Sequence, residues 1–204
     1  MKKLLVVVAV LTFTMGSAFA QKGSWYLGTS AMTSATALGE DPTAFVTGFM
    51  MDKEGDAKTS VFGIAPEAGY FVSDKLSVGL GVGFNLTSEK ANSDADAVKT
   101  TAFGVNPYVR YFLISKGNFG FYLQGGLSYV SSKLDVDGAD AYNIFYVGIN
   151  PGVSYKLTDN FGINASFGNL GYTDFGKNDA DESVSNFGLN VDMTSLRFGL
   201  FWAF

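Results

Sequence analysis

Between residues 76 and 87 the chain alternates without a break. Leu76, Val78, Leu80, Val82, Phe84 and Leu86 stand against Ser77, Gly79, Gly81, Gly83, Asn85 and Thr87. A period of two marks a β-strand with two unlike faces. Similar alternation predicts further strands over residues 24–33, 60–72, 101–114, 119–132, 142–157 and 161–168, and an eighth that ends at Phe204. The connections alternate as well. Turns at 73–75, 115–118 and 158–160 are short, whereas the polar segments 34–58, 88–99, 133–141 and 169–185 are long. The eighth strand breaks its own pattern: Phe187, Leu189, Val191 and Met193 are apolar at odd positions, but Leu196 to Phe204 at even ones. A one-residue slip exchanges the faces of a strand, so a bulge is expected near Thr194 and Ser195.

A heptapeptide recurs on this frame. It reads Ile64-Ala65-Pro66-Glu67-Ala68-Gly69-Tyr70, then Val105-Asn106-Pro107-Tyr108-Val109-Arg110-Tyr111, then Ile149-Asn150-Pro151-Gly152-Val153-Ser154-Tyr155. The last seven residues fit the same template, with Phe204 in place of the tyrosine. The closing aromatics lie 41, 44 and 49 residues apart, from Tyr70 to Tyr111 to Tyr155 to Phe204. A two-stranded unit therefore repeats along the chain. Proline lacks the N–H that an interior strand needs, so local bulges are expected at Pro66, Pro107 and Pro151.

Eight antiparallel strands joined in sequence describe an up-and-down barrel, and the composition of its faces decides which one is inside. The polar face of the third strand is small and uncharged, too meagre for a soluble exterior. A narrow barrel has room inside only for modest side chains. The glycine-rich face therefore belongs in the lumen and the apolar face meets lipid. The charges agree. Of the 19 acidic residues, 15 fall in the four long segments, away from a lipid face where a charge costs a few kcal/mol. Tyr70, Tyr111, Tyr155 and Phe204 all precede a short turn or the chain end, and are expected to form an aromatic girdle at the periplasmic interface.

The amino terminus fits a protein bound for that location. Lys2 and Lys3 precede an apolar run from Leu4 to Phe13 and an Ala18-Phe19-Ala20 site, the layout of a secretory signal peptide cleaved after Ala20. The expected domains are thus 1–20, signal peptide, and 21–204, barrel. Without Lys2 and Lys3, 12 basic side chains face 19 acidic ones, a formal charge of −7 that argues against nucleic acid as a partner. The chain holds neither cysteine nor histidine, so disulfides are excluded and the commonest general base is missing.

The signal peptide, the alternating strands, "PEAGYFVSDKLSVGLGVGF", "NPYVRYFL" and the terminal aromatic resemble the small eight-stranded outer-membrane β-barrel family. That family includes the OmpA transmembrane domain, OmpX and the porin-family proteins of the Bacteroidota. The resemblance implies residence in the bacterial outer membrane among lipid and lipopolysaccharide. It also implies that Phe204 is read by the barrel-assembly machinery. Three functions come with it: a structural or surface-binding scaffold acting through four acidic extracellular loops, a narrow channel for ions or very small solutes, and a barrel enzyme. Barrel enzymes of the lipid A deacylase, palmitoyltransferase or protease type would require a catalytic histidine, and this chain holds none, so no catalytic residue and no cofactor is expected here.

The candidate functional residues are few. Glu67 and Arg110 lie on inward faces at similar depth and are expected to pair, extended by Gln124 and Arg197. A structural pair that fills the barrel is the plainer reading, and a gate the sharper one. Asp135, Asp137 and Asp140 look like a calcium loop, but Tyr146 stands where the late glutamate belongs. These acids, like Asp179, Asp181 and Glu182, read as a solvated loop, and no metal site is expected. Phe45, Val46, Phe49, Met50 and Met51 make the first long segment apolar, as a contact patch, a plug, or strands extended above the membrane. Gly79, Gly81 and Gly83 lack the helix that a nucleotide motif requires.

Overall fold

The computed structural model describes residues 22–31, 47–92, 94–136, 138–177, 183–191 and 196–204. Among these residues the chain forms twelve strands: β1 Trp25–Ala31, β2 Gly48–Glu54, β3 Ala57–Ile64, β4 Pro66–Ser73, β5 Leu76–Lys90, β6 Val98–Lys116, β7 Phe119–Leu134, β8 Tyr142–Lys156, β9 Phe161–Ser166, β10 Asn169–Lys177, β11 Ser183–Asn190 and β12 Arg197–Ala203. They make eight antiparallel staves. The pairs β1 with β2, β3 with β4, β9 with β10 and β11 with β12 are the lower and upper parts of single staves, and β5 to β8 are unbroken. The barrel closes where β1 meets β12, from Tyr26 opposite Ala203 to Ala31 opposite Phe198. Trp25 N–H and Phe204 N–H each donate to the other residue's carbonyl at 2.9 Å.

The faces follow the alternation. Val78, Leu80, Val82, Phe84 and Leu86 are exposed on the outside, while Ser77 is fully buried within. The strands run further than their apolar stretches suggest. β5 to β8 are 15, 19, 16 and 15 residues long, against the 9–11 that suffice to cross a bilayer. Much of the polar sequence expected as loop is therefore strand. Residues 48–54 and 57–64 form a hairpin that turns at Gly55, φ 61°. Residues 169–177 and 183–190 form another. Serine, threonine and valine pair well above a membrane where both faces are wet, and the Gly55-Asp56 turn was the visible signal.

The face exchange in the last stave is present. Phe187 and Leu189 pair with outward Tyr172 and Leu170, whereas Arg197 pairs with inward Ser166 and Phe198 is exposed. Odd positions therefore face out in β11 and even ones in β12. Between Asn190 and Arg197 the stave carries four more residues than its neighbour between Ser166 and Asn169 (six against two), not one. Thr194 and Ser195 themselves lie outside the described residues, as do the signal segment 1–20 and Asp192. The seventh stave carries a one-residue bulge of its own: Ser166 lies opposite Gly152 and Leu170 opposite Ile149, with Gly168 at φ 66° between.

The lumen is filled by a repeated fit between rings and glycines. Tyr26 lies opposite Gly69, Tyr108 opposite Gly79, Tyr122 opposite Gly152 and Phe201 opposite Gly162. In each pair a Cβ built on the glycine would clash with the facing ring. These four pairs join staves one and two, three and four, five and six, and seven and eight. Gly81, Gly83 and Gly104 line a cavity, but the four glycines of these pairs leave no open space. They receive their neighbours' rings.

The prolines are accommodated without bulges in their own strands. Val105 opposite Tyr129 and Tyr108 opposite Gly126 keep one register across Pro107. Pro107 has no N–H to donate, and Asn106 Nδ2 donates to Leu127 O at 2.7 Å instead. Asn150, before Pro151, likewise donates to Gly168 O at 3.0 Å. In the first copy Ala65 replaces the asparagine. Thr29 Oγ1 donates to Ala65 O and Ala65 N–H donates to Thr47 Oγ1. The side chain before each later proline thus reaches from the lumen to satisfy a carbonyl that lipid cannot.

Two stability outcomes follow. Gly79→Val is expected to lower the urea unfolding free energy of the refolded barrel by about 1–3 kcal/mol. Gly125→Val, with nothing within 4 Å of its Cβ, is expected to cost nothing. Asn106→Leu should cost about 1–3 kcal/mol through the orphaned carbonyl, and Pro107→Ala in the same chain should recover most of the loss. Equal losses in the single and double variants would refute the asparagine's role.

Candidate functional site

Alternation turns Glu67, Arg110 and Gln124 inward from β4, β6 and β7, and the register brings them together. Arg110 Nη2 stands 3.6 Å from Glu67 Oε2. Its Nε and Nη2 donate to Gln124 Oε1 at 3.0 and 2.8 Å. Three rings surround the guanidinium, with centroids at 4.6 Å for Tyr122, 5.1 Å for Tyr108 and 5.6 Å for Tyr26. The Arg110 side chain is 7% exposed and that of Glu67 13%. A cation held this far from water survives only with a counter-ion, hydrogen bonds and π faces, and all three are present.

Beneath this cluster the lumen is aromatic. Tyr26, Phe71, Phe112 and Tyr122 stand in a chain with centroid separations of 5.5, 5.7 and 5.5 Å. Tyr26 OH shares a 2.9 Å hydrogen bond with Tyr108 OH and lies 3.3 Å from Ser77 Oγ. Above the cluster lies a polar cavity of about 130 Å³, lined among others by Asn106, Asn150, Ser166, Asn169 and Arg197. Arg197 thus joins the same cavity as Glu67 and Arg110, from the upper end of β12. The tyrosine clamp was missed in the sequence. Its signal was available: inward-facing tyrosines at the register positions of glycines.

The remaining candidates are placed as follows. Tyr111 and Tyr155 are exposed on the outer face, and Tyr70 and Phe204 are half-buried at the short-turn end. Trp25 packs on Tyr70 at 5.0 Å and Phe161 on Trp202 at 6.4 Å, so the aromatic band is wider than the repeat alone indicated. Asp135 and Asp140 are exposed, while Asp137, Asp179, Asp181 and Glu182 lie outside the described residues. Phe49 and Met51 point outward from β2, and Met50 lies opposite buried Val61. Phe45 and Val46 lie outside the described residues. Gly79, Gly81 and Gly83 belong to the inward face of β5.

A closed antiparallel barrel with an apolar exterior, an aromatic band and a polar, charged interior is built for a membrane. The sequence agrees at family level. Residues 5–194 match the outer membrane protein beta-barrel domain, and the chain belongs to that family of outer-membrane barrels. No curated protein matches it. Among solved structures it is similar to neisserial surface protein A, with 18% identity over 89% of this chain and 96% of that one, at a TM-score of 0.42. It is also similar to the N-terminal β-barrel domain of Pseudomonas aeruginosa OprF, with 14% identity over 93% and 100%, at a TM-score of 0.43.

Arg110→Met is expected to destabilise the refolded barrel by about 3–5 kcal/mol, because it strands the Glu67 carboxylate. Arg110→Met with Glu67→Leu should lose clearly less than the sum of the two single losses. Additive losses in a urea double-mutant cycle would show that the two residues are not coupled.

Proposed function

We propose that this protein is a non-enzymatic outer-membrane scaffold whose lumen is plugged and whose contacts are made above the membrane. The observation that carries this reading is the aromatic layer of Tyr26, Phe71, Phe112 and Tyr122, backed by the clamped Arg110. An eight-stranded barrel has little room to begin with, and these rings take up its lower half. The extended β2–β3 and β10–β11 hairpins supply polar and acidic surface for a ligand outside the cell. The lack of histidine and cysteine supports a non-catalytic role.

The remaining parts of the proposal concern delivery and setting. Residues 1–20 act as a signal peptide cleaved after Ala20, and Phe204 is read by the barrel-assembly machinery. Tyr70, Tyr111, Tyr155 and Phe204, with Trp25 and Trp202, anchor the barrel at the periplasmic interface. Lipid and lipopolysaccharide surround it.

A second reading, a narrow channel, is favoured by one observation: the polar cavity directly above the Glu67–Arg110 pair. Planar-bilayer conductance of refolded residues 21–204 separates the two. The scaffold reading expects silence from protein shown to be folded by heat-modifiable migration. Discrete current steps that change with Glu67→Gln would replace it with the channel.

A further inference from the structure

On one side of the barrel the outer face changes from apolar to basic at a single level. Lys53 of β2 lies opposite Lys58 of β3, and Lys58 lies opposite Lys90 of β5. Directly opposite residues share a face. Even positions of β3 and β5 face out, as exposed Phe62 and Leu86 show, so this row of three lysines is on the outside. Lys99 of β6 and Lys133 of β7 continue it, one opposite Ser88 and the other opposite Thr101. All five are exposed.

The acids of the same strands face the other way. Asp52 and Glu89 lie opposite Thr59, and Glu54 lies opposite Ala57. Odd positions of β3 turn inward with buried Val61. Asp135 follows the end of β7 beside Lys99, whose carbonyl accepts from its N–H at 2.8 Å. Charges that served only to keep a hairpin in solution would have no reason to sort by face. Like charges directly opposite each other repel, and an anion seated on the row removes that repulsion.

Height gives the anion its source. Lys58 stands twelve positions above Tyr70, and Lys99 twelve above Tyr111. Twelve residues at ~3.3 Å each span about 40 Å along a strand, or about 28 Å across a membrane at a tilt near 45°. The apolar band of such barrels is ~25 Å tall, so the lysines meet the outer headgroups. What lies beneath them is graded in the same order on four strands. Two positions below Lys58, Lys90, Lys99 and Lys133 stand the hydroxyls of Ser60, Ser88, Thr101 and Ser131. Two further down stand Phe62, Leu86, Phe103 and Tyr129, all exposed. Cation, hydroxyl and hydrocarbon thus succeed one another, as the parts of an anionic lipid do. Around the wall, on β8 and β10, Asn143 and Asp174 take the outward places above the apolar residues.

We propose that the outer face of β2, β3, β5, β6 and β7 is a docking surface for a phosphorylated amphiphile of the outer leaflet. Its phosphate groups lie on the row of Lys53, Lys58 and Lys90, flanked by Lys99 and Lys133. The hydroxyls meet the rest of its headgroup, and its acyl chains lie along the apolar residues below. This deepens the scaffold reading by naming a partner, and it rests on the claim that contacts are made at the outer surface.

The test uses refolded residues 21–204 in phosphatidylcholine nanodiscs, titrated with diphosphoryl lipid A and followed by backbone amide NMR. Saturable shifts are expected around Lys58, Lys90 and Lys99 and not around Asn143 or Asp174. Inorganic phosphate at matched concentration is expected to bind at least tenfold more weakly. Lys53→Gln with Lys58→Gln and Lys90→Gln should weaken lipid A binding at least tenfold, with heat-modifiable migration unchanged. Lys22→Gln with Lys75→Gln and Lys116→Gln removes the same charge at the short-turn end and should change it less than twofold. Equal weakening in the two triple variants would reduce the effect to net charge and overturn the docking surface. Equal response to inorganic phosphate would make it a soluble-anion site and overturn it too, as would shifts spread evenly around the wall or no saturable shift. None of these results depends on conductance, which tests the scaffold reading separately.

Discussion

The lumen of an eight-stranded barrel has little room for large side chains, and that limit organises this protein. Four of the rings that enter are each matched by a glycine on the neighbouring stave: Tyr26 by Gly69, Tyr108 by Gly79, Tyr122 by Gly152 and Phe201 by Gly162. The fit does two things at once. It fills the lower lumen with buried rings, and it holds three tyrosines around Arg110. The guanidinium then orients Glu67 and Gln124. Packing thus sets the position of the charge, and the charge sets the floor of the cavity above.

The wall answers to a second constraint, since no backbone carbonyl can go unpaired in hydrocarbon. Three staves carry a proline four residues before the outward tyrosine. Asn106 and Asn150 meet the demand from the lumen side, and Thr29 and Thr47 do so around Ala65. Lumen and wall are therefore one hydrogen-bonded system. The heptapeptide repeat is its trace in the sequence, carrying an inward asparagine or alanine, an outward proline and an outward tyrosine.

The barrel itself was legible because period-two alternation is strict, most of all over residues 76–87. The inside-out arrangement was legible because glycine and serine cannot clothe a soluble surface. The Glu67–Arg110 pairing could be anticipated because the two lie three and one positions above the closing tyrosines of their repeats, and register converts sequence distance into height. What stayed hidden depends on neighbours in space. Nothing near Gly79 in the sequence says that Tyr108 covers it, and Asn106 acts on a carbonyl 21 residues away. The strand content of the segments 48–59 and 169–185 was hidden for another reason. Above the membrane both faces are wet, so the apolar alternation that reveals a strand fades while the ladder continues.

The central claim is that glycine faces ring at four places around the lumen. Proton NMR of the refolded chain in micelles tests it most directly, through the α-protons of Gly69, Gly79, Gly152 and Gly162. Seated against the facing rings, all four should resonate well upfield of ordinary glycine, and replacing Tyr108 by Leu should return Gly79 alone to the normal range. Ordinary shifts at these glycines in a folded barrel would contradict the account, and the lumen would have to be closed in some other way.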